Sequence, residues 1–327
     1  MAQAPGKFGR RDALVRLAGL AGLSATAAGV EFWLYDRSRR PEERTAIDRP
    51  RDFTVPADPR LPEMAVIRGN DPRLLVRAAL RQLGGMGRFI ARGNVVVIKP
   101  NISWDRAPAQ AANTNPEVVA EVALLCREAG ASDVIVTDVS INEPRRCFER
   151  SGIAAAARAA GARIILPEAR QFREVDLRGA VLGAWPVLDL FLTADKVINI
   201  PVAKHHSLIG ASLGMKNWYG ILGGERQRLH QSIHESLADL AGFMRPTLTI
   251  VDAWRVLLRN GPGGGSLADV MDARTLIAGT DPVAVDAYAA KSWWGLDAAA
   301  LPYLEIAAAR GLGASNPANV RTRFVTL

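Results

Sequence analysis

Histidine side chains that could perform acid–base or metal chemistry are concentrated in one short part of the chain. All four histidines lie within thirty residues, at His205, His206, His230 and His234. A helix predicted over 229–243 would direct His230 and His234, four residues apart, toward one face. Imidazoles with this spacing can share a divalent metal ion. The pattern predicts His206, His230 and His234 as metal ligands, with packing, capping or acid–base catalysis as the alternative roles.

The same region contains side chains suited to holding an anion. Lys204 precedes the first two histidines, and Lys216 and Asn217 follow them. Lysine ammonium groups beside imidazole and amide donors suit a carboxylate or a phosphate. We expect Lys204, His206 and His230 to be catalytic, with a histidine as general acid or base. The alternative is that the lysines are ordinary solvated surface residues.

Strand and helix patterns alternate from Met64 onward. The predicted strands cover residues 64–67, 94–98, 134–137, 163–166, 196–200, 248–251 and 275–278. The predicted helices cover residues 72–83, 116–129, 145–160, 208–222, 229–243, 282–293 and 301–310. This alternation predicts an α/β fold with a doubly wound, mainly parallel sheet and helices on both faces.

Polar residues follow several of these strands at the point where each strand ends. Lys99 and Asn101 follow the strand 94–98, and Asp281 follows the strand 275–278. In a parallel sheet such strand ends meet at one edge, where ligands bind. We therefore expect one cleft that gathers residues from more than half of the chain. Besides Lys204, His206 and His230, its predicted ligand-binding residues are Lys99, Asn101, Lys216, Asn217, Asn260 and Asp281.

Composition excludes several classes of protein. Of the 327 residues, 49% are hydrophobic and 23% are charged, which is typical of a globular chain. Two cysteines cannot supply the four ligands of an iron–sulfur cluster from this chain alone. The net charge is +8, but the arginines are scattered and are not interleaved with aromatic residues, so we expect no nucleic-acid partner.

The N-terminus has the order of charges that is typical of an export signal. Four basic residues, among them the pair Arg10 and Arg11, precede the uncharged stretch 17–30. The segment 10–14 resembles a twin-arginine translocation signal, and the alternative is an ordinary amphipathic helix. We expect a signal over 1–30, a charged, proline-rich linker over 31–62 and a single α/β domain over 63–327.

This organisation predicts a protein exported by the twin-arginine machinery to a periplasmic or other extracytoplasmic compartment. An uncleaved signal would add weak membrane anchoring.

A series of motifs resembles the domain-of-unknown-function 362 family between about residue 94 and about residue 293. The motifs are Lys99-Pro100-Asn101, Thr114–Glu117, Pro201–His206, Gly214–Gly220, Asn260–Gly264 and Asp281–Asp286. The resemblance implies that the family's characteristic polar positions fall on Lys99, Asn101, Lys204, His206, Lys216, Asn217, His230, Asn260, Asp281 and Asp286. Some members of the family carry a ferredoxin-like iron–sulfur module, and this chain lacks its cysteine clusters.

Two functional hypotheses follow. In the first, the cleft binds an anionic small molecule, with or without a divalent metal, and catalyses acid–base chemistry on it. In the alternative, the same cleft holds a metal or cofactor for an exported redox system and performs no turnover. The sequence leaves the substrate and the cofactor open.

Overall fold

A mixed ten-stranded sheet organises the molecule, and the computed structural model describes it for residues 53–327. The strand order is β12-β1-β11-β10-β7-β2-β3-β4, with β8 paired to β10 and β9 paired to β8. The strands are β1 (Met64–Arg68), β2 (Val95–Pro100), β3 (Asp133–Val136), β4 (Arg163–Ile164), β5 (Phe172–Asp176), β6 (Ala184–Leu188), β7 (Lys196–Ile200), β8 (Val202–His206), β9 (Gly210–Ser212), β10 (Leu248–Leu257), β11 (Val270–Gly279) and β12 (Thr322–Thr326). Strands β5 and β6 form a separate antiparallel hairpin.

Helices follow most of the strands. They are α1 (Pro72–Gln82), α2 (Pro116–Glu128), α3 (Pro144–Arg150), α4 (Ile153–Ala159), α5 (Leu190–Thr193), α6 (Gly214–Asn217), α7 (Ile233–Phe243), α8 (Pro282–Trp294) and α9 (Pro302–Ala309). The start of α2 shows how local residue types position a helix. Asn115 caps α2 by accepting from Glu117 N–H, and Pro116 occupies the first turn.

The sheet is mainly parallel, as the sequence predicts. Strands β2, β3, β4, β7 and β10 run in one direction, and β11 runs antiparallel to both of its neighbours, β1 and β10. Along β2, Val97 faces one hydrophobic core while Val96 and Ile98 face the other. Helices α1, α2 and α4 cover one face and α7, α8 and α9 cover the other. The α/β fold with helices on both faces is therefore confirmed.

The order of the strands creates a topological switch point between β2 and β7. The chain leaves β2 through α2 toward β3 on one side, whereas it leaves β7 toward β8 and β10 on the other side. Connections that diverge in this way open a crevice outside the carboxyl ends of the two strands. The residues that follow β2, β3 and β7 are therefore placed around one crevice.

The predicted helix 208–222 is wrong. Strand β8 instead turns into β9, with Gly210 at φ +73° in the turn, and only four residues of α6 follow before a 3-10 turn over 218–221. Glycine at this left-handed position favours a hairpin over a continuous helix. The predicted helix 145–160 is also interrupted, because Gly152 at φ +74° separates α3 from α4.

The direction of β11 corrects the expected position of Asp281. Strands β10 and β11 form a long antiparallel hairpin. The last residue of β11 therefore lies beside the first residues of β10, at the opposite end of the strands from the carboxyl ends of β2 and β7. Asp281 follows β11 and caps α8 by accepting from Ala284 N–H at 2.9 Å, and it also accepts from Ala314 N–H at 2.8 Å. Its carboxylate therefore performs a capping role away from the crevice.

The last part of the expected linker is described by the structure, and it lies against the domain. Phe53 is fully buried in a hydrophobic core, and Arg88 donates to Pro56 O at 3.2 Å. The expected signal 1–30 and residues 31–52 of the linker lie outside the described residues. Across 53–327, we find no helix with the length and apolar character needed to span a membrane.

Candidate functional site

A buried ion pair forms the base of the crevice. Lys99, near the end of β2, is fully buried, and its Nζ lies 2.7 Å from Oδ1 of Asp138, which follows β3. Nζ also donates to Pro100 O and to Asn217 Oδ1, both at 2.9 Å. Burial lowers the pKa of Lys99, and the Asp138 carboxylate opposes that shift. Two hydrogen bonds and the ion pair occupy the Lys99 ammonium, so Lys99 supports the site from beneath.

Lys204 from β8 lies next to this ion pair. Its Nζ donates to Asn101 Oδ1 at 2.9 Å and to Ala112 O at 2.7 Å, both of which are uncharged acceptors. Burial lowers the pKa of Lys204 to about 7, while the Asp138 carboxylate opposes the shift and the Lys99 ammonium adds to it. Near neutral pH, Lys204 can therefore exchange a proton readily.

Two short polar side chains hold the strand ends in register. Thr114 Oγ1 donates to Ile200 O of β7 at 2.7 Å and accepts from Asn101 N–H at 2.9 Å. Asn217 Oδ1 accepts from Asn101 Nδ2 at 3.0 Å, and Asn217 Nδ2 donates to Asn199 Oδ1 at 2.8 Å. These buried amides are satisfied within the described part of the chain, which fixes their positions.

A carboxylate from another helix holds the start of α6. Asp286 of α8 is fully buried and accepts from the backbone N–H groups of Gly214 and Met215, both at 2.8 Å. Burial raises the pKa of Asp286 to about 7, although both hydrogen bonds oppose that shift. Because α6 is only four residues long, this external anchor determines where its Lys216 and Asn217 lie.

A cavity of about 500 Å³ opens above this network. Its wall includes three cationic side chains, Lys204, Lys216 and Arg226, and contains no aspartate or glutamate among its described residues. Arg226 reaches the cavity from the segment after α6, and its guanidinium donates to Val139 O and Ser140 O, both at 2.7 Å. The cavity wall therefore combines three basic groups with no carboxylate among its described residues.

Lys216 is the basic side chain of the cavity wall with the fewest local partners. Its Nζ lies 3.2 Å from the centroid of the Tyr219 ring, and within residues 53–327 it has no hydrogen bond or ion pair. Burial lowers its pKa well below the usual value, and the charges of Lys204 and Arg226 lower it further. The Lys216 amine thus faces the cavity without a neutralising partner.

His206 and His230 stand together at the cavity, and their rings are stacked with centroids 6.2 Å apart. Nδ1 of His206 accepts from Leu208 N–H at 3.2 Å, so the neutral ring carries its proton on Nε2. Nδ1 of His230 lies 3.2 Å from Gln227 O, and because a carbonyl only accepts, this nitrogen carries the proton and Nε2 is free to accept. Burial lowers the pKa of His206 to about 3.

Most of the predicted residues surround the cavity, but some do not. Lys204, His206, Lys216, Asn101, Asn217 and His230 line it, and Lys99 lies beneath it. His234 instead stacks on Tyr303, because α7 starts at Ile233 and His230 ends a separate 3-10 turn. Asn260 donates to Asp269 at 2.8 Å and does not line the cavity, and Asp281 lies at the other edge of the sheet.

The structure therefore does not assemble the predicted metal ligand set of three histidines. Within the described residues, no group of three or more His, Cys, Asp or Glu side chains is arranged to hold a metal ion. Only His206 and His230 remain adjacent.

Sequence reasoning missed several residues of the site. Arg226 and Trp104 line the cavity, and Tyr219 supports Lys216. Tyr219 follows Lys216 by three residues, a spacing that places both on one side of a helical turn and could have signalled their contact. Trp104 belongs to an irregular segment and Arg226 begins the short 3-10 turn that ends at His230, and neither segment is long enough to give a periodic signal in the sequence.

The fold and the site together define an α/β protein with a cation-lined cavity at the switch point of a mainly parallel sheet. Residues 96–291 match the family described as Domain of unknown function (DUF362), and this match covers more than half of the chain. The protein belongs to that family.

One relative is a thylakoid-associated protein of Synechocystis sp.. It is 30% identical over an alignment of 226 residues, and the alignment covers 64% of this chain and 66% of the relative. The chain thus spans slightly less than two thirds of the relative's length.

The buried ion pair leaves no room for a side chain at Gly220. A Cβ at this position would lie 2.6 Å from Lys99 Nζ and closer still to Asp138 Oδ1. We expect Gly220→Ala to lower the free energy of unfolding by about 1–3 kcal/mol, because the pair must shift to accept the methyl group. Denaturant unfolding monitored by circular dichroism measures the change.

The matched control is Gly183→Ala, since a Cβ there would meet no atom within 4 Å. This control should unfold at nearly the wild-type denaturant concentration. Equal stability of the two variants would contradict the proposed close packing around the ion pair.

Proposed function

We propose that this protein binds an anionic small molecule in the cavity and that Lys204, His206 and His230 perform acid–base chemistry on it. The observation that carries the proposal is a cavity wall with three basic side chains and no carboxylate among its described residues. Burial lowers the pKa of each of these groups, so their charged forms are unfavourable in the empty cavity. A bound anion would stabilise the charged forms of Lys204, Lys216 and Arg226.

The two histidines are suited to complementary roles. In the neutral forms described above, His206 offers an N–H donor at Nε2 and His230 offers an acceptor at Nε2. His230 can therefore accept a proton from a ligand, while His206, which stays neutral because its pKa is lowered to about 3, can hold a ligand oxygen through a hydrogen bond. Lys204, with a pKa of about 7, can act in either direction near neutral pH.

Binding of a divalent metal is a second candidate function, and it rests on the stacked imidazoles of His206 and His230. Two histidines leave at least two coordination positions of a metal open, so the anion itself would have to supply ligands. Metal analysis of protein purified from its own host tests this candidate. A stoichiometric metal that is lost in the His206→Ala variant would support it, and a metal-free protein that binds anions normally would contradict it.

The anion proposal predicts a specific role for Lys216. Sulfate is a suitable probe because its charge does not change near neutral pH. We expect Lys216→Gln to weaken sulfate binding by about tenfold or more, because a hydrogen bond to a charged group contributes roughly 1.5–3 kcal/mol. Isothermal titration calorimetry measures the change.

The control variant is Lys291→Gln, which removes the same charge from an exposed position on α8. Its sulfate affinity should match that of the wild type. Equal weakening by both variants would indicate a general charge effect and contradict the assigned role of Lys216, and absence of sulfate binding by the wild type would contradict anion binding.

Sulfate affinity should also decrease as pH rises. Lys204 is largely protonated below its pKa of about 7 and loses its charge above it, and the pKa of Lys216 is lowered as well. Because sulfate binds the ammonium forms, raising the pH from about 6 to about 8.5 should weaken binding by about tenfold or more. An affinity that is equal at both pH values would contradict the participation of these lysines.

We further propose export by the twin-arginine route to an extracytoplasmic setting. The support is the sequence 10–14 with its following uncharged stretch, together with the thylakoid association named for the relative. Arg10→Lys combined with Arg11→Lys should retain the protein in the cytoplasm, as measured by cell fractionation. The wild type processed in parallel is the control, and continued export of the double variant would contradict the proposed route.

A further inference from the structure

The cavity has an apolar side as well as a cationic side. Trp104 and Ile141 line it together with Pro262. The three belong to neighbouring segments, because Ile141 N–H donates to Ser103 O at 3.0 Å and a Cβ added at Gly263 would lie 3.2 Å from the Trp104 ring. We name Trp104, Ile141 and Pro262 the apolar lip.

Well-defined hydrogen bonds hold the apolar lip in place. Asn113 is buried, and its Oδ1 accepts from Trp104 N–H at 3.0 Å while its Nδ2 donates to Trp104 O at 2.7 Å. On the other side, Arg106 donates to Gly263 O at 3.2 Å and Gln110 donates to Gly265 O at 2.8 Å. The Trp104 backbone and the loop that carries Pro262 are therefore fixed before any ligand arrives.

The exposure of Ile141 needs an explanation. Its side chain is 56% exposed although it borders a cavity that is otherwise rich in charged and polar groups. A bare inorganic anion held by the basic and polar side chains would leave the indole of Trp104 and the Ile141 side chain without a partner. An apolar group placed against the lip would remove that surface from water, which is favourable.

We propose that the natural ligand of this cavity is an amphipathic anion, in which a carboxylate, sulfonate or phosphate group is joined to a flat apolar body. The anionic group lies against Lys204, Lys216 and Arg226, and the apolar body packs on Trp104 and Ile141. A volume of about 500 Å³ accommodates such a molecule and greatly exceeds what a bare anion fills. This inference rests on the proposed anion binding and narrows the class of ligand.

Three sulfonates with the same head group and charge test the inference by calorimetry. Methanesulfonate has almost no body, 2-hydroxyethanesulfonate has a polar body, and benzenesulfonate has a flat apolar body. We expect the Kd of benzenesulfonate to be lower than those of the other two sulfonates by about tenfold or more. A tenfold difference corresponds to about 1.4 kcal/mol of binding free energy. Trp104→Ala should remove most of this preference while leaving methanesulfonate affinity nearly unchanged.

Leu267→Ser is the matched control, because Leu267 is exposed at 61% and does not line the cavity. This variant should keep the preference for benzenesulfonate. Equal affinities for the three sulfonates, or a preference that survives Trp104→Ala, would overturn the inference while leaving anion binding intact. If neither sulfate nor any of the three sulfonates binds, the proposed function itself is wrong.

Discussion

The fully buried ion pair between Lys99 and Asp138 is the interaction on which the site depends. It joins the ends of β2 and β3, and the Lys99 ammonium also accounts for the position of Asn217. The Asp138 carboxylate further accepts from Ile102 N–H at 2.6 Å, which sets the path of the chain after β2. Removing one partner of such a pair leaves an uncompensated buried charge, which typically costs about 3–5 kcal/mol. The pair is therefore both a structural requirement and the electrostatic base of the cavity.

One carboxylate cannot neutralise all the cations that surround it. Asp138 lies close enough to stabilise the charged forms of Lys99, Lys204 and Arg226, yet burial lowers the pKa of each of them. Burial also lowers the pKa of Lys216, and the charges of Lys204, Arg226 and Lys99 lower it further. The fold therefore holds an arrangement of charge that an incoming anion would complete, and this links the topology of the sheet to the chemistry we propose.

The sequence predicted the parts of the site that depend on regular parallel strands. The continuous apolar run of β2 predicts that Lys99 and Asn101 lie at the end of a strand, whereas the switch point depends on the strand order, which strand and helix alternation does not reveal. Asp281 was misplaced because no local signal distinguishes an antiparallel strand such as β11 from a parallel one. The α6 region was misread as one helix, since the anchor that starts α6, Asp286, lies 71 residues or more away in sequence.

Proton uptake on sulfate binding would show whether an anion stabilises the charged forms of Lys204 and Lys216 in this cavity. Calorimetry in two buffers of different ionisation enthalpy counts these protons near pH 8, where Lys204 is mostly neutral in the empty cavity. Because an anion stabilises the ammonium forms, we expect a clear net uptake of protons that decreases toward lower pH. Sulfate binding with no proton uptake, or no sulfate binding at all, would contradict anion binding by these lysines.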